Sequence, residues 1–401
     1  MKLFFVFTSL LVGTYGFSQD FWELRDSVKG APRSVCAAFV MEGQGYVVGG
    51  VDEFSFKRKM YSYNLIQNDW DEEVALGGPN GDGLDRGSAS AFSIGAKGYV
   101  CLGQGQTNAY FGDLWEYDLA TTAWTQKADF AGGPRRQAVA FAIGDYAYVG
   151  TGQDASGFRK DFYRYNPNSN VWEQMADFEG TARKQAVGFA MGDDGYVGTG
   201  DDGVLRNDFW QYNVALNQWF QKANFPGTAR AGATGWGTFP TGCIATGEDI
   251  NSEFTRDVWE YSYFNNAWIQ RSDIPGPGRK NAFSFVLDGT AFLGAGYGGD
   301  FYDDFYAYYG ILGLDENSSQ IPTFAYPCPS SNSVSIEFEA ANEVKSVDIL
   351  DLSGQVCSSI RFLQTNANQI TIDISRLNAG NYLYHIVLKN GAKSTGKLSV
   401  L

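Results

Sequence analysis

Six arginines mark a repeat that leaves this 401-residue chain few folds to choose from. They are Arg33, Arg86, Arg135, Arg183, Arg230 and Arg279. Six residues after each comes an aromatic: Phe39, Phe92, Phe141, Phe189, Trp236 or Phe285. Thirteen after each stands Tyr46, Tyr99, Tyr148, Tyr196, Cys243 or Phe292. Seventeen after each is a glycine: Gly50, Gly103, Gly152, Gly200, Gly247 and Gly296. A tyrosine then closes the next segment in every unit, from Tyr63 to Tyr308, and seven residues beyond it a tryptophan follows in the first five. Self-similarity of this depth at a fixed period signals a repeat architecture.

Each unit reads as four strands. In the first they fall at 34–40, 45–48, 60–64 and 70–73, separated by turn formers such as the run from Asn64 to Asp69. The first strand is rich in small residues, as suits a crowded axis. The aromatics suit the faces between neighbouring units, where each buries a large apolar area. Four-stranded repeats of this length predict an all-β fold, a six-bladed β-propeller. The sixth unit lacks its tryptophan, because Asp315 stands there. The missing piece is at the other end: Phe21-Trp22-Glu23-Leu24 matches an outermost strand, and Trp22 precedes Trp70 by 48 residues, one repeat. The N-terminal strand should therefore close the last blade and leave no open edge.

The run Gly198-Thr199-Gly200, then Asp208-Phe209-Trp210 with Tyr212-Asn213, then Asn217 and Trp219, resembles a kelch repeat. The likeness spans about residues 21–309, although only Gly49-Gly50 keeps the glycine pair usual in that family. Ahead of it, Met1-Lys2, an apolar run from Leu3 to Val12, and the small residues Gly16 and Ser18 read as a signal peptide over 1–18. The propeller is expected over 19–312, a linker over 313–325, and a small β-sandwich of about seven strands over 326–401. Tyr326-Pro327, Leu352-Ser353-Gly354-Gln355, the run from Leu377 to Tyr382 and the terminal Gly396-Lys397-Leu398 resemble the C-terminal sorting domain of the type IX secretion system. That resemblance implies transit through periplasm and outer membrane, and a tail that is removed or used for surface attachment. No later stretch is apolar enough to predict a transmembrane helix in the mature chain.

The chemistry is constrained mainly by what is scarce. Copper oxidases resembling galactose oxidase share the kelch fold but need two histidine ligands, and this chain has one histidine, His385, in the tail. The same scarcity excludes histidine-based zinc sites and Ser-His-Asp or Cys-His catalysis, and no cofactor is expected. The aspartate pairs 193–194, 201–202 and 303–304 match no calcium-loop pattern. Five cysteines, an odd number, form no CxxC pair, and three of them (Cys36, Cys101, Cys243) read as small buried hydrophobes. A formal charge of −15 sets nucleic acid and anionic lipid aside as partners.

The sharpest functional feature is again the arginine series. One arginine at the head of each blade should encircle one mouth of the channel. Guanidinium suits carboxylate, phosphate or sulfate recognition, so Arg33, Arg86, Arg135, Arg183, Arg230 and Arg279 are candidate ligand-binding residues. The competing reading is structural. Asp113, Asp161, Asp208, Asp257 or Asp304 sits four residues before each repeat tyrosine and could pair with the arginine of its blade, while the first blade has Lys59 there. The sequence as a whole predicts an exported, non-catalytic module that binds a protein or an acidic glycan at the cell surface. The alternative is a sugar-modifying enzyme such as a kelch-type sialic acid mutarotase, using a carboxylate and an arginine at the channel mouth.

Overall fold

The computed structural model describes residues 20–81, 84–310, 323–326, 332–338, 344–350, 362–366, 369–378, 380–389 and 393–400. The expected signal peptide and most of the expected linker, together with Cys328 and Cys357, lie outside them. The propeller has six blades, each an antiparallel sheet, and in the first five the four main strands run in sequence from the axis outward. Blade 1 consists of Ala37–Met41, Gln44–Val48, Met60–Asn64 and Asp69–Glu73. Blade 4, with Val187–Met191, Asp194–Gly198, Phe209–Asn213 and Gln218–Gln221, repeats the plan. Blade 6 takes three strands from Phe283–Leu287, Thr290–Gly294 and Phe305–Tyr309, and its fourth from Phe21–Leu24 at the other end of the chain. Trp22 lies opposite Tyr308, as Trp70 lies opposite Tyr63 in blade 1.

The inner strands are shorter than the sequence suggests. The first begins at Ala37 rather than at residue 34, because Val35 turns left-handed at φ 53° and Ser34 makes only an isolated bridge to Val51. Every blade has such a residue two places after its arginine: Val35, Ser88, Gln137, Gln185, Gly232 and Asn281, all at φ 53–65°. The turn aims each amide along the ring instead of along a sheet. Each N–H donates to the carbonyl of its counterpart in the preceding blade at 2.7–3.2 Å, and Val35 completes the circle by donating to Asn281.

Two further circles lie outside this one. The glycine seventeen places after each arginine donates its N–H to the carbonyl of the next blade's arginine at 2.7–2.9 Å, and Gly296 returns to Arg33. These glycines adopt φ between 91° and 116°, where a Cβ is strongly disfavoured. In the outermost circle, each repeat tryptophan donates its indole N–H to a backbone carbonyl of the preceding blade at 2.8–3.2 Å, including Trp22 to Ser272. Buried indole N–H groups need a partner, so one residue type supplies both apolar area and a directional link. The asparagine two places before Trp70, Trp172, Trp219 and Trp268 explains the Asn-x-Trp pattern. Its side-chain oxygen accepts from the tyrosine of its own blade and from a backbone N–H of the preceding one, as Asn217 does from Tyr212 and Ala176.

Aromatics fill the space between blades. Phe39 stacks on Tyr46 at 5.3 Å, and its ring occupies the place that a Cβ at Gly98 of the next blade would take, 2.1 Å away. The same exclusion recurs at Gly45, Gly195 and Gly242 against Phe285, Phe141 and Phe189. The junction of blades 6 and 1 is built like the others, with Tyr63, Trp70, Phe283, Phe292 and Phe305 in one buried cluster. The closing strand is also tied by polar contacts. The Asp20 carboxylate accepts from the Ser272 N–H at 2.6 Å and the Tyr308 hydroxyl at 3.1 Å.

The C-terminal region has seven described strands in two sheets, one of four and one of three. They share an apolar core that includes Val334, Ile336 and Ile370 from one sheet and Ile349, Tyr382 and Ile386 from the other. His385 is paired through its backbone between Asp348 and Thr395.

Removing residues 20–26 takes away the fourth strand of blade 6, an inter-blade indole link and the Asp20 ties. Trp22 is partly buried and packs its ring against Trp236, Tyr306 and Tyr308, so its apolar contacts are lost as well. The deletion should therefore lower the urea midpoint of the whole propeller in one transition, followed by tryptophan fluorescence. An unchanged midpoint would show that the strand does not close the ring.

Candidate functional site

All six blade arginines are buried, none more than 3% exposed. They stand at the start of each inner strand, and the chain between second and third strands returns to the same end of the blade. That end of the propeller, the arginine face, therefore carries both sets of loops. In five blades the guanidinium grips the blade's own aspartate through both terminal nitrogens. Arg86 holds Asp113 at 2.6 and 2.8 Å, Arg135 holds Asp161 at 2.7 and 2.9 Å, and Arg183 holds Asp208 at 2.5 and 2.8 Å. Arg230 holds Asp257 at 2.6 and 2.9 Å, and Arg279 holds Asp304 in the same way. Each Nη1 also donates to the carbonyl of the residue preceding the repeat glycine at 2.8–3.0 Å. An aromatic ring lies 4.0–5.0 Å from each of these five guanidiniums, as Phe178 does under Arg183.

A buried charge persists only when paired and hydrogen-bonded, and these pairs meet both conditions. The carboxylates are supported in turn: the Trp115, Trp210 and Trp259 indoles donate to Asp113, Asp208 and Asp257 at 2.7–2.9 Å. Burial pushes Asp208 and Asp257 upward, but the hydrogen bond and charge of Arg183 and Arg230 outweigh it and hold both carboxyls below their ordinary value. Five of the six candidate arginines are thus committed to carboxylates within their own blades. Arg33 is the exception. Lys59 occupies the aspartate position, and Arg33 donates only to the carbonyls of Ala31, at 2.9 Å, and Gly49, at 3.3 Å.

The channel wall offers little chemistry. Alternate residues of the inner strands face the axis, from Ala38 and Val40 in blade 1 to Ser284 and Val286 in blade 6, and none is titratable. Among the described residues no three His, Cys, Asp or Glu side chains converge. The aspartate pairs are engaged elsewhere: Asp304 with Arg279, Asp202 with Arg206, and Asp194 with Gln211 and Asn213. Cys36, Cys101 and Cys243 are free thiols, and burial pushes all three upward, Cys36 to about 12.

The irregular part of the arginine face is in its loops. Between blades 2 and 3 they border an open cleft of about 470 Å³ lined by Asn108, Tyr110, Pro134, Asp154, Ala155 and Ser156. Arg136 props this cleft from behind. It donates to Gln104 and, at 3.1 Å, to Gln153, and its guanidinium lies 5.4 Å from the Tyr110 ring centre. Asp154 is fixed by the N–H groups of Ser156 and Gly157 and by Arg159. Other loop tips on this face are apolar and exposed: Phe54 is 85% exposed, Val204 56% and Ile250 72%. Sequence reasoning missed the cleft and the tips. The tips follow no repeat position, whereas the basic residue after the arginine, Arg136 facing Tyr110, recurs as Lys184 facing Phe158 and Lys280 facing Phe254.

Replacing Asp208 with Asn keeps the shape and removes the charge that Arg183 needs. Leaving a buried charge without its partner costs about 3–5 kcal/mol, and the loss should appear in urea unfolding at neutral pH. The folded carboxyl is depressed, so its contribution is full above the unfolded value of 3.8 and is lost as pH falls below it. The variant should accordingly show a shallower fall in stability below that pH than the natural chain. Equal acid limbs would contradict the pairing.

Comparison with known families agrees with this geometry. A model described as the KLHDC2/KLHL20/DRC7 Kelch-repeats domain matches residues 36–235, and one described as the secretion system C-terminal sorting domain matches residues 325–400. A search of curated proteins finds no match. Among solved structures, one titled "Structure of YjhT" is similar with a TM-score of 0.59 and 16% identity, over 71% of this chain and 96% of that one. At that identity the likeness speaks for the fold alone. No helix among the described residues is long and apolar enough to cross a membrane, and the sorting domain marks the chain for secretion or the cell surface. The chain is a kelch-repeat β-propeller protein that carries a type IX secretion sorting domain at its C-terminus.

Proposed function

We propose that this protein is a non-catalytic recognition module displayed at the cell surface, and that its arginine face takes a glycan. The observation that carries this reading is the cleft between blades 2 and 3. It combines one aromatic ring, Tyr110, with an amide, a carboxylate and a hydroxyl from Asn108, Asp154 and Ser156. Sugars are bound by such mixtures of a flat apolar face and a few fixed polar groups, and about 470 Å³ lies within the usual range for small-ligand clefts. The polar groups are held before any ligand arrives, since Asp154 is bonded to two backbone N–H groups and Tyr110 is backed by Arg136. Pre-organisation of this kind reduces the entropy lost on binding.

A protein partner is the second reading, favoured by the exposed Phe54, Val204 and Ile250 at other loop tips of the same face. In either case the proposed route is the same. A signal peptide over residues 1–18 leads into the periplasm, and the sorting domain then directs passage across the outer membrane.

A glycan array probed with the mature chain tests the first reading. Tyr110→Ala should reduce binding to the best sugar at least tenfold, which corresponds to about 1.4 kcal/mol, without moving the melting temperature. Binding that survives this substitution unchanged would place the ligand elsewhere. An array with no signal would favour the protein partner.

A further inference from the structure

Blade 1 departs from the other five at one position, and the departure has a chemical consequence. In blades 2, 3, 4 and 6 the residue whose carbonyl receives the N–H preceding the repeat glycine is an aspartate: Asp113 receives Leu102, Asp161 receives Thr151, Asp208 receives Thr199 and Asp304 receives Ala295. In blade 1 the same backbone bond runs from Gly49 to Lys59. The register is therefore unshifted, and a lysine stands where the arginine's carboxylate should be. Lys59 turns outward to Glu72 at 2.8 Å, with both side chains about half exposed.

Arg33 keeps its place regardless. It is 3% exposed, and its ring partner is Tyr61 at 5.2 Å. Its contact with the Gly49 carbonyl, at 3.3 Å, is longer than the 2.8–3.0 Å of the other five. Among the described residues no carboxylate lies within ion-pair distance of it, and its Nη2 and the Tyr61 hydroxyl have no hydrogen-bond partner. Both atoms crowd the same point, the place of a Cβ at Gly30, which would lie 2.3 Å from Nη2 and 2.7 Å from the hydroxyl. A nearly buried guanidinium without a counter-charge is a high-energy arrangement. In the sister blades the equivalent carboxylates are 13–23% exposed, so the corresponding place opens to solvent.

We infer that blade 1 is a carboxylate-binding site, in which Arg33 and the Tyr61 hydroxyl receive from solution the planar anion that the other blades supply from their own chain. The five sister blades define the ligand. The group is a carboxylate held side-on by Nη1 and Nη2, with a ring-borne donor beside it: the indole N–H of Trp115, Trp210 or Trp259 there, the Tyr61 hydroxyl here. The site is separate from the cleft between blades 2 and 3, and neither needs the other.

Thermal unfolding of the mature chain in acetate and in chloride at equal ionic strength tests the inference. Acetate should raise the melting temperature of the natural chain by about 2 °C or more, following mass action. Lys59→Asp restores the internal carboxylate. It should melt higher than the natural chain in chloride and no longer respond to acetate. Lys59→Ala removes the lysine without filling the site, and its response should persist. An equal melting temperature of the natural chain in the two salts would overturn the proposal. So would a Lys59→Asp protein that is destabilised in chloride or still responds to acetate. Binding of sugars at the Tyr110 cleft would be unaffected by any of these outcomes, so the two readings fail separately.

Discussion

The propeller depends on one backbone hydrogen bond repeated six times, from the glycine at the end of each second strand to the carbonyl of the next blade's arginine. A ring of separate sheets has no continuous strand ladder to hold it, so something directional must cross every junction. The glycine supplies the N–H at a φ near 100°. The arginine supplies the carbonyl and is itself immobilised through its side chain. In five blades that side chain is locked by an aspartate and by the carbonyl preceding the glycine of its own blade. The guanidinium thus ties the donor glycine and the acceptor arginine of one blade into a rigid unit that links both neighbours. The inner circle of left-handed residues and the outer circle of indoles reinforce the same closure at other radii.

Much of this was legible before any coordinates. The arginines and their glycines recur at a fixed offset, and so does each tryptophan from the tyrosine before it. The N-terminal strand was legible for the same reason, because Trp22 falls one period before Trp70. The innermost circle was not. Its members are Val35, Ser88, Gln137, Gln185, Gly232 and Asn281, which share a backbone angle and no side-chain chemistry. That angle ends the strand earlier than the pattern of small residues suggested. The arginines were read two ways, as ligand residues and as partners of the spaced aspartates, and spacing alone does not separate the two. Burial and bidentate geometry commit five of them to aspartate.

The division between frame and face follows from the same physics. Positions that hold the ring are fixed by mutual geometry and cannot vary freely. The loops between second and third strands hang from that frame and are constrained only at their ends, so they differ from blade to blade. The apolar tips at Phe54 and Ile250 belong to those loops and follow no repeat position, while Tyr110 of the cleft is held by a ring-over-cation contact that recurs at Phe158 and Phe254. Blade 1 shows a frame position whose charge has changed sign. Lys59 replaces an aspartate, and the frame holds because the backbone bond through Lys59 is kept.

Native-state hydrogen exchange tests the closed ring most directly. The amides of Gly50, Gly103, Gly152, Gly200, Gly247 and Gly296 should share a single high protection, equal to that of global unfolding, because opening any one junction opens the ring. The decisive pair is Gly296 and Val35, whose hydrogen bonds join the C-terminal strands of blade 6 to blade 1. If those two amides exchange through a far less costly opening than the other five glycines, the ring is a horseshoe with a weak seam and the account is wrong.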